Sequence, residues 1–134
     1  METTKTKMAL KISGIALLLH IVLIAISILE VFIYSLVYPD QPEAAYQHHA
    51  TVSGPYVSAI AGSILIYLIV RRMNKRNGLH PYFTGLLFPV IYIAFDVIIL
   101  LFFPVNWLEH LPVFLLANGV KIIAGILAAW RSGK

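Results

Sequence analysis

The chain has 134 residues, of which 60% are hydrophobic and only 12% are charged, with a formal net charge of +4 at pH 7. Soluble domains are about 45–50% apolar and about 25% charged, and a small domain cannot bury such an excess of apolar side chains. A soluble globular enzyme and a disordered chain are therefore excluded, and the absence of cysteine excludes disulfide-stabilised modules, thiol catalysis and zinc–thiolate sites. An integral membrane protein remains.

Four long apolar stretches predict four membrane-spanning helices. A hydrocarbon core about 30 Å thick requires about 20 apolar residues of helix, and the stretches cover residues 12–38, 51–70, 81–103 and 111–130. Spanning strands would be about half as long and would alternate apolar and polar residues. We therefore expect one all-α domain over residues 1–134, an antiparallel bundle of four transmembrane helices.

Turn-forming and capping residues separate the predicted spans. Residues 53–55, Ser-Gly-Pro, have the pattern of a helix cap followed by a proline in the first helical turn, at the start of the second span. Asn106, followed three residues later by Glu109, is compatible with a capping pair for the fourth span, although Pro112 could move the start of that helix inward.

The basic residues predict the orientation of the spans. Nine of the ten precede the first span, lie between the second and third, or follow the fourth; they are Lys5, Lys7, Lys11, Arg71, Arg72, Lys75, Arg76, Arg131 and Lys134. The positive-inside rule makes that side cytoplasmic. We therefore expect both termini inside the cell, in a plasma membrane whose expected setting is the bacterial inner membrane. The net charge is then a topology signal, and no nucleic-acid partner is expected.

Three ionisable residues interrupt the spans, although a charge at the centre of a membrane helix costs about 2.5–3.5 kcal/mol. At about 1.5 Å per residue, Glu30, Asp96 and Asn118 lie at nearly one depth in the outer half of the bilayer. Lys121 starts one turn deeper, but its side chain leans outward because its helix begins outside. We predict that these four residues form one polar intramembrane site, in which Lys121 contacts one or both acids.

Each span also carries a stripe of polar or small residues, and such stripes normally face other helices. Gly85 shares a face with Asp96 on the third span, and Gly125 shares one with Lys121 on the fourth. The stripe predicted for the second span comprises Ser53, Tyr56, Ser63 and Tyr67. His20, on the stripe of the first span, is expected to hydrogen-bond a serine or tyrosine of another helix.

Further polar residues near the outer ends of the spans are expected to contribute to the site; they are Tyr34, His48, His49, Tyr56, Tyr92 and His110. The weak candidates for metal ligands are His48, His49, Glu109 and His110. Adjacent histidines on a helix point about 100° apart and do not easily share a metal. We therefore predict no metal and no cofactor, and expect one of these histidines to hydrogen-bond Glu30.

Two functions fit this pattern. The first is a small membrane protein that moves or senses protons, ions or a small solute through the polar site, with a homo-oligomer or a larger membrane complex enclosing the path. The alternative is a non-catalytic assembly subunit whose buried charges only specify helix packing. An enzyme acting at the outer face through His48, His49 and Glu109 is the least favoured hypothesis. Apart from such an assembly, the lipid bilayer is the expected partner.

Overall fold

The computed structural model describes residues 2–76, 78–102 and 107–133. Within them it contains four α-helices, α1 (Glu2–Val37), α2 (Glu43–Asn74), α3 (Pro81–Leu101) and α4 (Trp107–Ser132). Each helix is long and apolar enough to cross a membrane. The prediction of an all-helical chain with four candidate spans is therefore confirmed.

The helices extend beyond the apolar stretches that revealed them, and α2 shows why. It begins at Glu43 and not at residue 51, so the prediction that residues 53–55 cap its start is wrong, and Pro55 lies inside the helix. Gln47 donates a hydrogen bond to Glu43, 3.1 Å away, within the polar first turns. Hydropathy therefore reports the apolar length of α2, whereas its polar N-terminal turns continue the helix beyond that length.

The two ends of the α1–α2 connection are joined by one tyrosine. The hydroxyl of Tyr46, on α2, donates to the carbonyl of Tyr38 (2.8 Å) and accepts from the backbone N–H of Gln41 (3.2 Å). Between them Asp40 adopts a left-handed conformation with φ of 63°, which aspartate tolerates better than most residues. At the start of α4, Pro112 lies inside the helix, and the predicted capping residue Asn106 is outside the described residues.

The helices pack so that α1 and α4 lie diagonally across from each other. Both contact α2 and α3, but in the described ranges they do not contact one another. Glu30 bonds Ser53, and Leu23 lies against Gly62, so α1 and α2 are antiparallel. Side chains of α1 and α4 can therefore approach one another only at the centre of the packed helices, between α2 and α3.

One half of the molecule is more tightly packed than the other. The apolar core is formed by Ile12, Ala16, Leu19, Leu23, Ile66, Val70, Met73, Phe88, Tyr92 and Ala128. These residues lie mainly toward the N-terminal ends of α1 and α3 and the C-terminal ends of α2 and α4, the same ends that carry the clustered basic residues. Glu30, Asp96 and the buried Asn118 lie toward the opposite half, whereas the buried Thr84 lies in the packed half.

Two glycines set the distance between α3 and α4. A Cβ added at Gly125 would overlap the backbone oxygen of Gly85 and lie 2.7 Å from a ring carbon of Pro89. A Cβ added at Gly85 would lie 2.7 Å from both the Gly125 oxygen and the Ala129 Cβ. This contact agrees with the expectation that the small residues of each span face another helix, and only residues without a side chain permit so close an approach.

The close contact predicts a position-specific effect of adding one methyl group to α4. Gly125→Ala should lower the free energy of unfolding by about 1–3 kcal/mol because α3 must move away. Gly119→Ala is the matched control: nothing lies within 4 Å of a Cβ there, so the higher helix propensity of alanine should leave stability unchanged or raise it by up to about 1 kcal/mol. Unfolding in detergent micelles by added dodecyl sulfate, followed by circular dichroism, measures both. Equal stabilities for the two variants would contradict the close approach.

Candidate polar site between the helices

Lys121 lies about midway along α4 and is only 1% exposed. Its alkyl chain crosses α2 at Gly62, where an added Cβ would lie 2.8 Å from the lysine Cε. Its Nζ donates to the Ser58 hydroxyl (2.6 Å) and lies 4.6 Å from the centre of the Tyr92 ring. The ammonium is therefore held by a hydroxyl and an aromatic face.

Asp96 lies nearby on α3, with 28% of its side chain exposed. The Asn118 amide donates to its Oδ2 at 3.4 Å, and the Nε2 of His20 lies 3.9 Å from its Oδ1. Across the described helices, no carboxylate lies within 4.0 Å of the Lys121 ammonium. The expected direct contact between Lys121 and Glu30 or Asp96 is therefore not formed, because the lysine side chain is directed along α2 toward Ser58.

Glu30 lies apart from the other three members of the predicted site. Its Oε1 is 2.7 Å from the Nε2 of His49, and its Oε2 accepts from the Ser53 hydroxyl at 2.9 Å. The Tyr34 ring stacks on His49 with ring centres 3.7 Å apart. The expectation that a histidine bonds Glu30 is thus confirmed, but the glutamate is not brought to Asp96. Equal depth does not imply contact, because both carboxylate oxygens of Glu30 bond side chains of α2 while Asp96 lies on α3.

His20 joins the site in a way that the sequence analysis did not anticipate. Its Nδ1 lies 2.8 Å from the Ala16 carbonyl oxygen, one turn earlier on α1, and its ring stacks on Tyr92 with centres 3.9 Å apart. The expected hydrogen bond to a serine or tyrosine of another helix is therefore wrong. The Nε2 of His20 and the Oδ1 of Asn118 are buried without a hydrogen-bond partner.

Two cavities meet at Asp96. The larger has a volume of about 510 Å³ between α1, α2 and α3, and its polar lining residues are His20, Ser27, Ser58, Tyr92 and Asp96. The smaller has a volume of about 200 Å³ between α2, α3 and α4, and its polar lining residues are Ser58, Asp96, His110, Asn118 and Lys121. Ser58 and Asp96 line both cavities, so these two side chains form the boundary between them.

The remaining predicted contributors lie farther from this centre. Tyr56 is 54% exposed and lies in a separate surface depression with apolar neighbours, while His48 and Glu109 are also exposed. His110 lines the smaller cavity, with its ring 6.3 Å from that of Phe114. Over the ranges that the structure describes, no three side chains of His, Asp or Glu converge as metal ligands.

Sequence reasoning missed Ser58 and the face of α2 that meets α4, although Ser53 of the predicted stripe does bond Glu30 of α1. Gly54, Ser58 and Gly62 are spaced four residues apart, which is the small-residue pattern of a helix–helix contact, and this face meets Lys121. The predicted stripe instead included the exposed Tyr56. Weighting residue size above polarity would have selected this second face as well.

Comparison of the chain with models of known protein families, with curated proteins and with solved structures found no match. The chemistry of the site is therefore inferred from its geometry.

The hydrogen bonds of Glu30 with His49 and Ser53 predict that the N-terminal part of α2 is held against α1. His49→Ala removes the bond to Glu30, so backbone amides at residues 43–53 should exchange hydrogen with solvent about fivefold faster. His48→Ala, in which the adjacent exposed histidine is removed, should leave the rates unchanged. Hydrogen exchange measured by mass spectrometry distinguishes them. Equal acceleration in both variants would contradict an attachment through His49.

Proposed function

We propose that the chain is an integral membrane protein whose four helices cross the bacterial inner membrane with both termini in the cytoplasm. The length and apolar character of the helices support insertion. The orientation is supported by the basic residues at one end of the packed helices, because positive residues are retained on the cytoplasmic side. In this orientation the tightly packed half faces inward and both cavities lie in the outer half.

The absence of cysteine makes this orientation directly testable. His48→Cys and Lys75→Cys each introduce one thiol at an exposed position, one at each end of α2. In intact cells a membrane-impermeant maleimide should label position 48 and not position 75, because only the former lies outside. After permeabilisation both should be labelled. The reverse pattern in intact cells would contradict the orientation.

We further propose that the protein handles protons or a small solute through a site formed by Asp96, Asn118 and Lys121. The single observation that carries this proposal is the position of Asp96 between two cavities, without a direct ion pair to the neighbouring lysine. A purely structural ion pair in a membrane would be expected in direct contact and in dry surroundings. Here the carboxylate faces open space, which suits a group that exchanges a proton or a ligand.

The side chains next to Asp96 would support the exchange of a proton or a ligand at its carboxylate. Lys121 places a positive charge beside the smaller cavity, and Ser58 connects the two cavities through a hydroxyl that can both donate and accept. Below the site Phe88 and the rest of the apolar core fill the cytoplasmic half. A species entering from outside would therefore stop at Asp96, and its passage would require the helices to move or a further copy or partner to complete the path.

A structural role is the second candidate, and the course of the Lys121 side chain favours it. The lysine joins α4 to α2 through its packing on Gly62 and its bond to Ser58. In that case the charges specify which helices pair, and the chain acts as a non-catalytic subunit of a membrane assembly.

Proton flux separates the two candidates. In vesicles containing the purified protein and a trapped pH dye, Asp96→Asn should reduce the flux driven by a pH gradient about tenfold or more, because the amide carries no exchangeable carboxyl proton. Glu43→Gln is the control, since this glutamate is exposed in the first turn of α2, and its flux should equal that of the wild type. Unchanged flux in Asp96→Asn, or wild-type flux no greater than that of empty vesicles, would contradict proton handling.

A further inference from the structure

The larger cavity is large enough to hold a small molecule. Its volume of about 510 Å³ is in the range of small-molecule sites, about 300–1,000 Å³. Its apolar lining consists of Leu23, Ile24, Ile28, Val31, Ala50 and Ile99, with Gly54 on the α2 side. Apolar side chains do not stabilise a proton or an inorganic ion, so the lining indicates an occupant with an apolar body.

Two hydrogen-bond acceptors lie close together on side chains that line this cavity. The Ala16 carbonyl can only accept, so the Nδ1 of His20 carries a proton, and in the neutral ring Nε2 is an acceptor. This Nε2 has no partner, although His20 is only 7% exposed. The Oδ1 of Asp96 lies 3.9 Å away, beyond hydrogen-bond distance. A group that carries at least two N–H or O–H bonds would satisfy both atoms.

The charged side chain that lines the larger cavity indicates which hydrogen-bond donor would bind there. Of the charged side chains that the structure describes, Asp96 lines the larger cavity, whereas Lys121 lines only the smaller one. An anionic group would therefore meet a carboxylate, and a cationic group would gain one as its partner. A protonated amine supplies both the charge and the N–H groups.

The rim of the cavity indicates where its occupant enters. Ile24, Ile28 and Ile99 line the cavity and are also exposed, by 56%, 66% and 36%. In the proposed orientation these side chains contact hydrocarbon, so the cavity opens toward the acyl chains between α1 and α3. A molecule that partitions into the bilayer reaches the cavity from there.

We infer that the larger cavity binds a lipophilic amine, an apolar molecule with one protonated amino group that donates to the Nε2 of His20 and the Oδ1 of Asp96. The apolar body lies among the isoleucines of α1 and α3. This inference rests on the proposed function because Asp96 belongs to both. It adds His20 as a binding residue and names the chemical class of the solute.

Equilibrium dialysis of the full chain in phosphatidylcholine nanodiscs tests the inference, with 1-naphthylmethylamine as the fluorescent probe and empty nanodiscs as the background. At pH 7 the amine should bind about tenfold or more tightly than the neutral 1-naphthylmethanol and the anionic 1-naphthoate. Asp96→Asn should remove this preference. His20→Phe, which keeps an aromatic ring against Tyr92 but removes the acceptor, should weaken it about fivefold, whereas Glu43→Gln should bind as the wild type does.

Equal retention of the three probes by the wild type would overturn the inference and indicate that a lipid acyl chain fills the cavity; this comparison requires no variant to fold. Full binding of the amine by Asp96→Asn would overturn it as well. If proton flux in vesicles is lost in Asp96→Asn while the probes bind equally, the inference fails and the proposed function stands. If the amine binds selectively but the wild type conducts no protons, the amine site stands and the proposal of proton handling fails.

Discussion

The burial of a single ammonium group is the constraint on which the rest of the structure depends. Lys121 is almost completely inaccessible, and a charge in that position has to be accommodated by all the helices around it. Gly62 leaves room for the alkyl chain, Ser58 accepts the hydrogen bond and Tyr92 supplies its aromatic face. These residues come from α2 and α3, so the lysine fixes how α4 lies against both. The close approach of α3 and α4 at Gly125 continues this packing toward the C-terminal end of α4.

Much of the fold could be predicted because a bilayer imposes simple rules on a sequence. The four apolar lengths identified the four helices, and the glycines on the third and fourth spans marked faces that contact other helices, although not which helix each contacts. The ends of the helices could not be predicted equally well. Residues 43–50 contain Glu43, Tyr46, Gln47 and two histidines, and a local hydrogen bond from Gln47 to Glu43 supports their helix, so hydropathy alone could not detect it.

The site was predicted only in part. Counting residues along a span gives the depth of a side chain in the membrane, but not which side chains of other helices lie beside it. Counting residues placed Asp96, Asn118 and Lys121 near one level, and the structure brings them around one cavity. The same counting included Glu30, which the helix order keeps away from α4 and which bonds His49 instead. His20 was recognised as polar but assigned the wrong partner, because ring stacking on Tyr92 leaves no periodic signal. Lateral neighbours depend on the order of the helices around the axis, which no single span encodes.

The position of Asp96 along α3 determines how strongly a membrane voltage would act on its occupant. The helix ends at Leu101, so at about 1.5 Å per residue the carboxylate lies about 8 Å from that end, roughly a quarter of a 30 Å hydrocarbon core. In the proposed orientation a cation arriving from outside crosses about a quarter of the electric field, worth about 0.6 kcal/mol per 100 mV. Occupancy would therefore respond weakly to the resting potential, and most of the electrical work would fall on the later step through the packed cytoplasmic half.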